Sequence, residues 1–129
     1  MDGYLLDNLA QLKHVTRFML SYMREKGADG YFIAAQCPNG QQWVDTPWSN
    51  LAHRMNERPS ESMSLLLELV DKMRRDPAVD GSRVYVTGLS MGGYGTLHTA
   101  LTYPEKFSAA IALSSALVVR DVALTPGSE

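Results

Sequence analysis

The residues best equipped for chemistry are Gly88-Leu89-Ser90-Met91-Gly92, a Gly-x-Ser-x-Gly pentapeptide. Val84-Tyr85-Val86-Thr87 leads into it, a β-branched and aromatic run that favours a strand, and a helix-like stretch follows from Met91. Strand, sharp turn and helix form the setting in which a serine hydroxyl is held out as a nucleophile. In so tight a turn a Cβ at position 88 or 92 would meet the neighbouring strand or helix, which accounts for both glycines. The Met91 N–H falls at the first turn of the helix. There it can face the oxyanion that develops when the Ser90 hydroxyl attacks a carbonyl.

A serine needs a general base near neutral pH, and that base is normally oriented by a third group. The chain offers His14, His53 and His98. His98 lies eight residues past Ser90 on the same expected helix, about 12 Å away, which suits packing rather than proton transfer. His14 sits beside Lys13 on the first helix, where a structural or solvent-facing role fits. His53 lies in the long segment 36–59 and is the one candidate base of the three, set against a substrate-cleft or plain loop role. Asp121, after the last expected strand, is one candidate acid, the default reading being an acid in a frayed tail with no histidine to hold. Cys37 has no histidine placed to activate it. A nucleotide site is a different reading of a glycine turn before a helix. Gly-x-Gly-x-x-Gly would need glycine at position 90, however, and no Gly-Lys-Ser/Thr occurs. No metal or cofactor is expected.

These residues need elements to position them. At 129 residues and 45% hydrophobic, the chain has one domain's worth of core. Twelve basic and fourteen acidic residues leave a net charge of −2, so nothing points to nucleic acid or an anionic membrane. The apolar runs are too short to span a membrane. Met1-Asp2-Gly3 is no basic signal region and Cys37 is the sole cysteine, which leans slightly toward the cytoplasm.

Asp7 or Asn8 can cap a helix running to about Met23, with Leu9, Leu12, Val15, Thr16, Met19 and Leu20 on one face and Gly27 as its stop. Residues 31–35, Tyr-Phe-Ile-Ala-Ala, read as a strand buried on both faces, followed by turn chemistry at 36–40. Segment 36–59 lacks periodicity and holds Trp43 and Trp48; a loop that long usually carries function. Ser60 caps a helix to about Arg75 with Met63, Leu66, Leu67, Val70 and Met73 inward. A strand at 83–87, a helix from Met91 stopping before Pro104, and a third buried strand at 107–113 complete the pattern. Strands alternating with helices imply an α/β fold, three layers deep, with a parallel sheet of about three strands and three helices. The expected domain covers 1–117, with 118–129 as a frayed tail.

Three signals in order carry a resemblance: Asp7-Asn8-Leu9-Ala10-Gln11-Leu12, then Gln36-Cys37-Pro38 with Trp43 soon after, then the stretch from Tyr85 to Thr96 around Ser90. Together they resemble the α/β-hydrolase superfamily. The nearer likeness is to bacterial esterases often labelled predicted peptidases or phospholipase/carboxylesterase-like proteins, and it covers roughly residues 7–115. It implies a serine hydrolase of small-molecule esters working through an acyl-enzyme. Ser90 would be the nucleophile and the Met91 N–H an oxyanion donor, with Gln36, Trp43 and Leu89 lining the cleft and His53 near it. Relatives of this kind carry a His-Gly-x-Gly loop and a strand before the Asp-Asn segment, and an acid and a histidine beyond the third strand. The chain therefore reads as the central part of such a hydrolase. The alternative is a catalytically incomplete element, a fragment or pseudo-enzyme with an assembly role, whose unpaired sheet edges favour self-association.

Overall fold

The computed structural model describes residues 12–13, 15–45 and 58–113. They divide between two compact units, Met1–Gln41 and Gln42–Glu129.

In the first unit, helix α1 spans Val15–Glu25. The expected caps Asp7 and Asn8 lie outside the described residues, and Leu12 and Lys13 adopt 3-10 and turn geometry. The inward face carries Leu12, Thr16, Met19 and Met23, spaced three to four apart. Leu20, expected on that face, is 44% exposed, so the stripe is rotated by about one position. Gly27 ends the helix in the left-handed region, at φ +64°. The Ala28 N–H reaches the Met23 carbonyl at 2.8 Å and the Gly27 N–H reaches that of Arg24 at 3.2 Å, the paired bonds of a Schellman cap.

Residues 31–35 do not form the expected strand. The described sheet contains two strands, neither of them here. Tyr31 and Ile33 are 64% and 43% exposed, alternating with half-buried Phe32 and Ala34. A short apolar run has no periodicity of its own to distinguish a sheet strand from another segment packed on one side.

In the second unit, Ser60 caps helix α2, Glu61–Arg74, accepting the Met63 N–H at 3.1 Å. Met63, Leu67 and Val70 are buried, with Leu66 and Met73 half-buried, as their spacing requires. Asp80 then closes a turn by accepting the Ser82 N–H at 2.9 Å and its hydroxyl at 2.6 Å. Both hydrogen bonds favour the charged form and hold the Asp80 carboxyl below its usual range. Strand β1, Tyr85–Leu89, follows, then helix α3, Met91–Thr102, a 3-10 turn at Pro104–Lys106, and strand β2, Ala109–Leu113.

The strands pair in parallel, with Tyr85 opposite Ala109 and Leu89 opposite Leu113. α3 is the crossover and packs on both strands. It covers one face only. Tyr85, Leu89, Ile111 and Leu113 are 63%, 48%, 62% and 46% exposed on the other, so β2 is not the buried strand expected at 107–113. The result is a partial α/β fold, in which a two-stranded parallel sheet carries a crossover helix. α2 joins it through Met63 Sδ, 3.3 Å from Thr99 Oγ1, and through an Asp71–Lys106 ion pair at 2.6 Å.

Candidate active site

β1 runs two residues beyond the expected strand end, so that Leu89 is its last residue and Ser90 the hinge. Ser90 sits at φ 56°, ψ −117°, and is the one described non-glycine residue with positive φ. An L-residue there costs roughly 1–3 kcal/mol and persists only where its surroundings over-determine it. Two backbone bonds do so. The Ser90 N–H donates to the Leu113 carbonyl at 2.9 Å, and the Ser90 carbonyl accepts the Tyr94 N–H at 2.9 Å. Ser90 is exposed, and although it stands at the N-cap position its hydroxyl does not cap α3. The first N–H groups of a helix, here including that of half-buried Met91, have no intrahelical acceptor. The geometry therefore presents an exposed serine, its hydroxyl out of helix capping, beside N–H donors that have no acceptor within the helix.

Packing behind the hinge explains the glycines. A Cβ on Gly88 would run into the Gly92 carbonyl and stand 2.7 Å from Thr96 Oγ1. A Cβ on Gly93 would stand 2.5 Å from the Leu113 carbonyl oxygen. Gly92 departs from expectation, because a Cβ there meets nothing within 4 Å. Its own carbonyl is what Gly88 must avoid, so the tightness of the turn is felt at position 88 alone of the two.

Trp43 packs against α3, as a Cβ on Gly95 would stand 2.9 Å from Trp43 Cβ. The Trp43 carbonyl accepts the Ser60 hydroxyl at 2.8 Å. Gly95, Thr96 and Ser60 do not stand out as site residues in the sequence. The signal was present nonetheless: Gly92, Gly93 and Gly95 fall in the first five residues of a helix, where glycine is unfavourable unless something must come close.

Leu89 is exposed at the strand end. Gln36 and Cys37 are both half-buried, following residues 31–35 in the first unit. His14, His53, Trp48 and Asp121 lie outside the described residues. His98, the one described histidine, is buried in α3, and desolvation holds its pKa below the ordinary imidazole value. It is a neutral packing residue in the helix. Burial likewise pushes the Tyr94 phenol up, keeping it protonated. No described helix is long and apolar enough to cross a membrane.

A family model described as "Putative esterase" matches residues 1–124. Among curated proteins, poly(3-hydroxyalkanoate) depolymerase C of Paucimonas lemoignei is 49% identical over 43 residues, covering 33% of this chain and 10% of that protein. Acetyl esterase of Caldicellulosiruptor saccharolyticus is 48% identical over 44 residues, 34% of this chain and 16% of that protein. Dipeptidyl-peptidase 5 of Porphyromonas gingivalis is 29% identical over 96 residues, 74% of this chain and 13% of that protein. The chain thus spans 10% to 16% of the length of these relatives. No solved structure matches significantly. With a family model running over nearly its whole length and a partial α/β fold, the chain belongs to the esterase family, as an α/β-hydrolase-like member.

Proposed function

We propose that the protein is a serine carboxylesterase acting on small-molecule esters. The Ser90 hydroxyl attacks the ester carbonyl, forming a bond from Oγ to carbon, and its proton passes to a general base. The Met91 N–H stabilises the oxyanion. Collapse expels the alcohol, which takes up that proton and leaves an acyl-serine. Water then hydrolyses the acyl-serine and regenerates Ser90. The observation that carries this reading is the strained Ser90 backbone combined with a hydroxyl left out of helix capping. Similarity to proteins named acetyl esterase and poly(3-hydroxyalkanoate) depolymerase supports an ester as the substrate class. His53 and Asp121 are the base and acid to test, since His98 is buried about 12 Å along the helix from Ser90. Within the second unit, Trp43 and Leu89 line the cleft.

A fluorophosphonate probe and p-nitrophenyl acetate, each applied beside Ser90→Ala, test the proposal. Serine-dependent labelling and turnover are expected. A folded chain that shows neither overturns it.

A second reading, an assembly element, is favoured by the exposed apolar face of Tyr85, Leu89, Ile111 and Leu113. It requires concentration-dependent self-association, and a strict monomer by light scattering removes it.

A further inference from the structure

We infer that Gly95 and Ser60 are positioning residues that seat Trp43 as a wall for the apolar acyl group next to the scissile carbonyl. The inference rests on the reading of Ser90 and Met91 given above. Gly95 follows Met91 by four residues, so the two lie on one face of α3 about 6 Å apart along the axis. The base of the indole lies against the bare backbone at Gly95. A Cβ there would stand 2.9, 3.1 and 3.3 Å from Trp43 Cβ, Cγ and Cδ1. On its other side Trp43 is tethered through its carbonyl, which accepts the hydroxyl of Ser60, itself only 4% exposed. The neighbouring Val44, 2% exposed, anchors the segment in the core.

Main chain and Cβ of Trp43 are therefore held by two contacts, while the residue as a whole is only half-buried. A rigid aromatic surface offers a large apolar contact for little loss of rotamer freedom. Standing one turn from the Met91 N–H, it can meet the carbon chain of an ester whose carbonyl that N–H holds. Neither Gly95 nor Ser60 need touch the substrate. Each acts through Trp43.

The test separates binding from chemistry. A Ser90→Ala, Trp48→Phe protein has Trp43 as its sole tryptophan and cannot turn over esters at Ser90. Titrated with methyl acetate, butanoate and hexanoate, its fluorescence is expected to change saturably, with affinity rising along the series. Gly95→Ala displaces the indole. Ser60→Asp keeps the α2 cap but has no proton to donate to the Trp43 carbonyl. Each is expected to weaken hexanoate binding about fourfold or more, the worth of one buried methylene, while leaving acetate binding nearly unchanged. With Ser90 restored, the same changes should raise KM for the hexanoate ester more than they lower kcat. A missing or chain-length-independent fluorescence response overturns the inference. So does equal binding in either folded variant, and Ser60→Asp decides the matter if Gly95→Ala fails to fold. Chain-length-dependent binding without Ser90-dependent hydrolysis overturns the nucleophile reading and, with it, the placement of the acyl group beside a scissile carbonyl, whereas Ser90-dependent hydrolysis without that binding overturns this inference alone.

Discussion

The Ser90 N–H donates to the carbonyl of Leu113 at 2.9 Å, one residue beyond the Leu89–Leu113 rung that closes the sheet. The hinge is thus fastened by the strand laid down after the crossover. The same carbonyl oxygen is where a Cβ on Gly93 would arrive, at 2.5 Å. Gly93→Ala should therefore push β2 from the hinge and cost about 1–3 kcal/mol, the usual range for overpacking. Urea denaturation measures that loss. Fluorophosphonate labelling of the remaining folded protein should slow, because Ser90 loses the bond that sets its backbone.

Gly88 and Gly92 flank the serine symmetrically in sequence but should respond in opposite ways to alanine. At position 88 the new methyl meets the Gly92 carbonyl, a backbone atom that cannot swing away. We expect Gly88→Ala to lose about 3 kcal/mol or more, or to fail to fold. At position 92 nothing lies within 4 Å, and alanine should raise stability by up to about 1 kcal/mol through helix propensity. Paired thermal melts decide the contrast.

His98 gives stability a pH dependence of known sign. Burial lowers its pKa in the folded protein, so the unfolded chain binds the proton more readily. Its contribution is complete above the unfolded imidazole value of about 6.5 and is lost as pH falls from there toward the folded value. Melting temperature followed from pH 8 to 5 should decline more steeply for the native protein than for His98→Leu. Parallel curves would show that His98 takes no part.

The Lys106 ammonium hydrogen-bonds Asp71 and holds its carboxyl below the usual range. That contribution is present above the ordinary aspartate value and is lost as pH falls through the folded value. Asp71 is more than a third exposed, so the pair should also weaken with salt. NMR titration of the Asp71 carboxyl should show its pKa rise toward the ordinary value in Lys106→Met.

Features set by local chemistry were legible in the sequence. Ser60 as cap, the inward face of α2, Gly27 as a stop and the strand–turn–helix around Ser90 each follow from a few neighbouring residues. Features that depend on distant partners were not. Residues 31–35 carry an apolar run with no period, and pairing decides whether such a run joins a sheet. The strands at 85–89 and 109–113 exist, but their exposed face depends on what covers it, and their composition is silent on that. Trp43 illustrates the same divide. Trp43 became interpretable only when its carbonyl was seen bonded to Ser60 and its Cβ against Gly95.

The opening turn of α3 has little side-chain substance of its own, with glycine at 92, 93 and 95. Its shape is borrowed from outside: the Leu113 carbonyl, Trp43, and the close fit of Gly88 beneath it. The geometry of Ser90 is consequently not portable. Transplanting Gly-Leu-Ser-Met-Gly onto another strand and helix would carry over the letters without the conformation, because the conformation belongs to residues 23 positions after the serine and 47 before it.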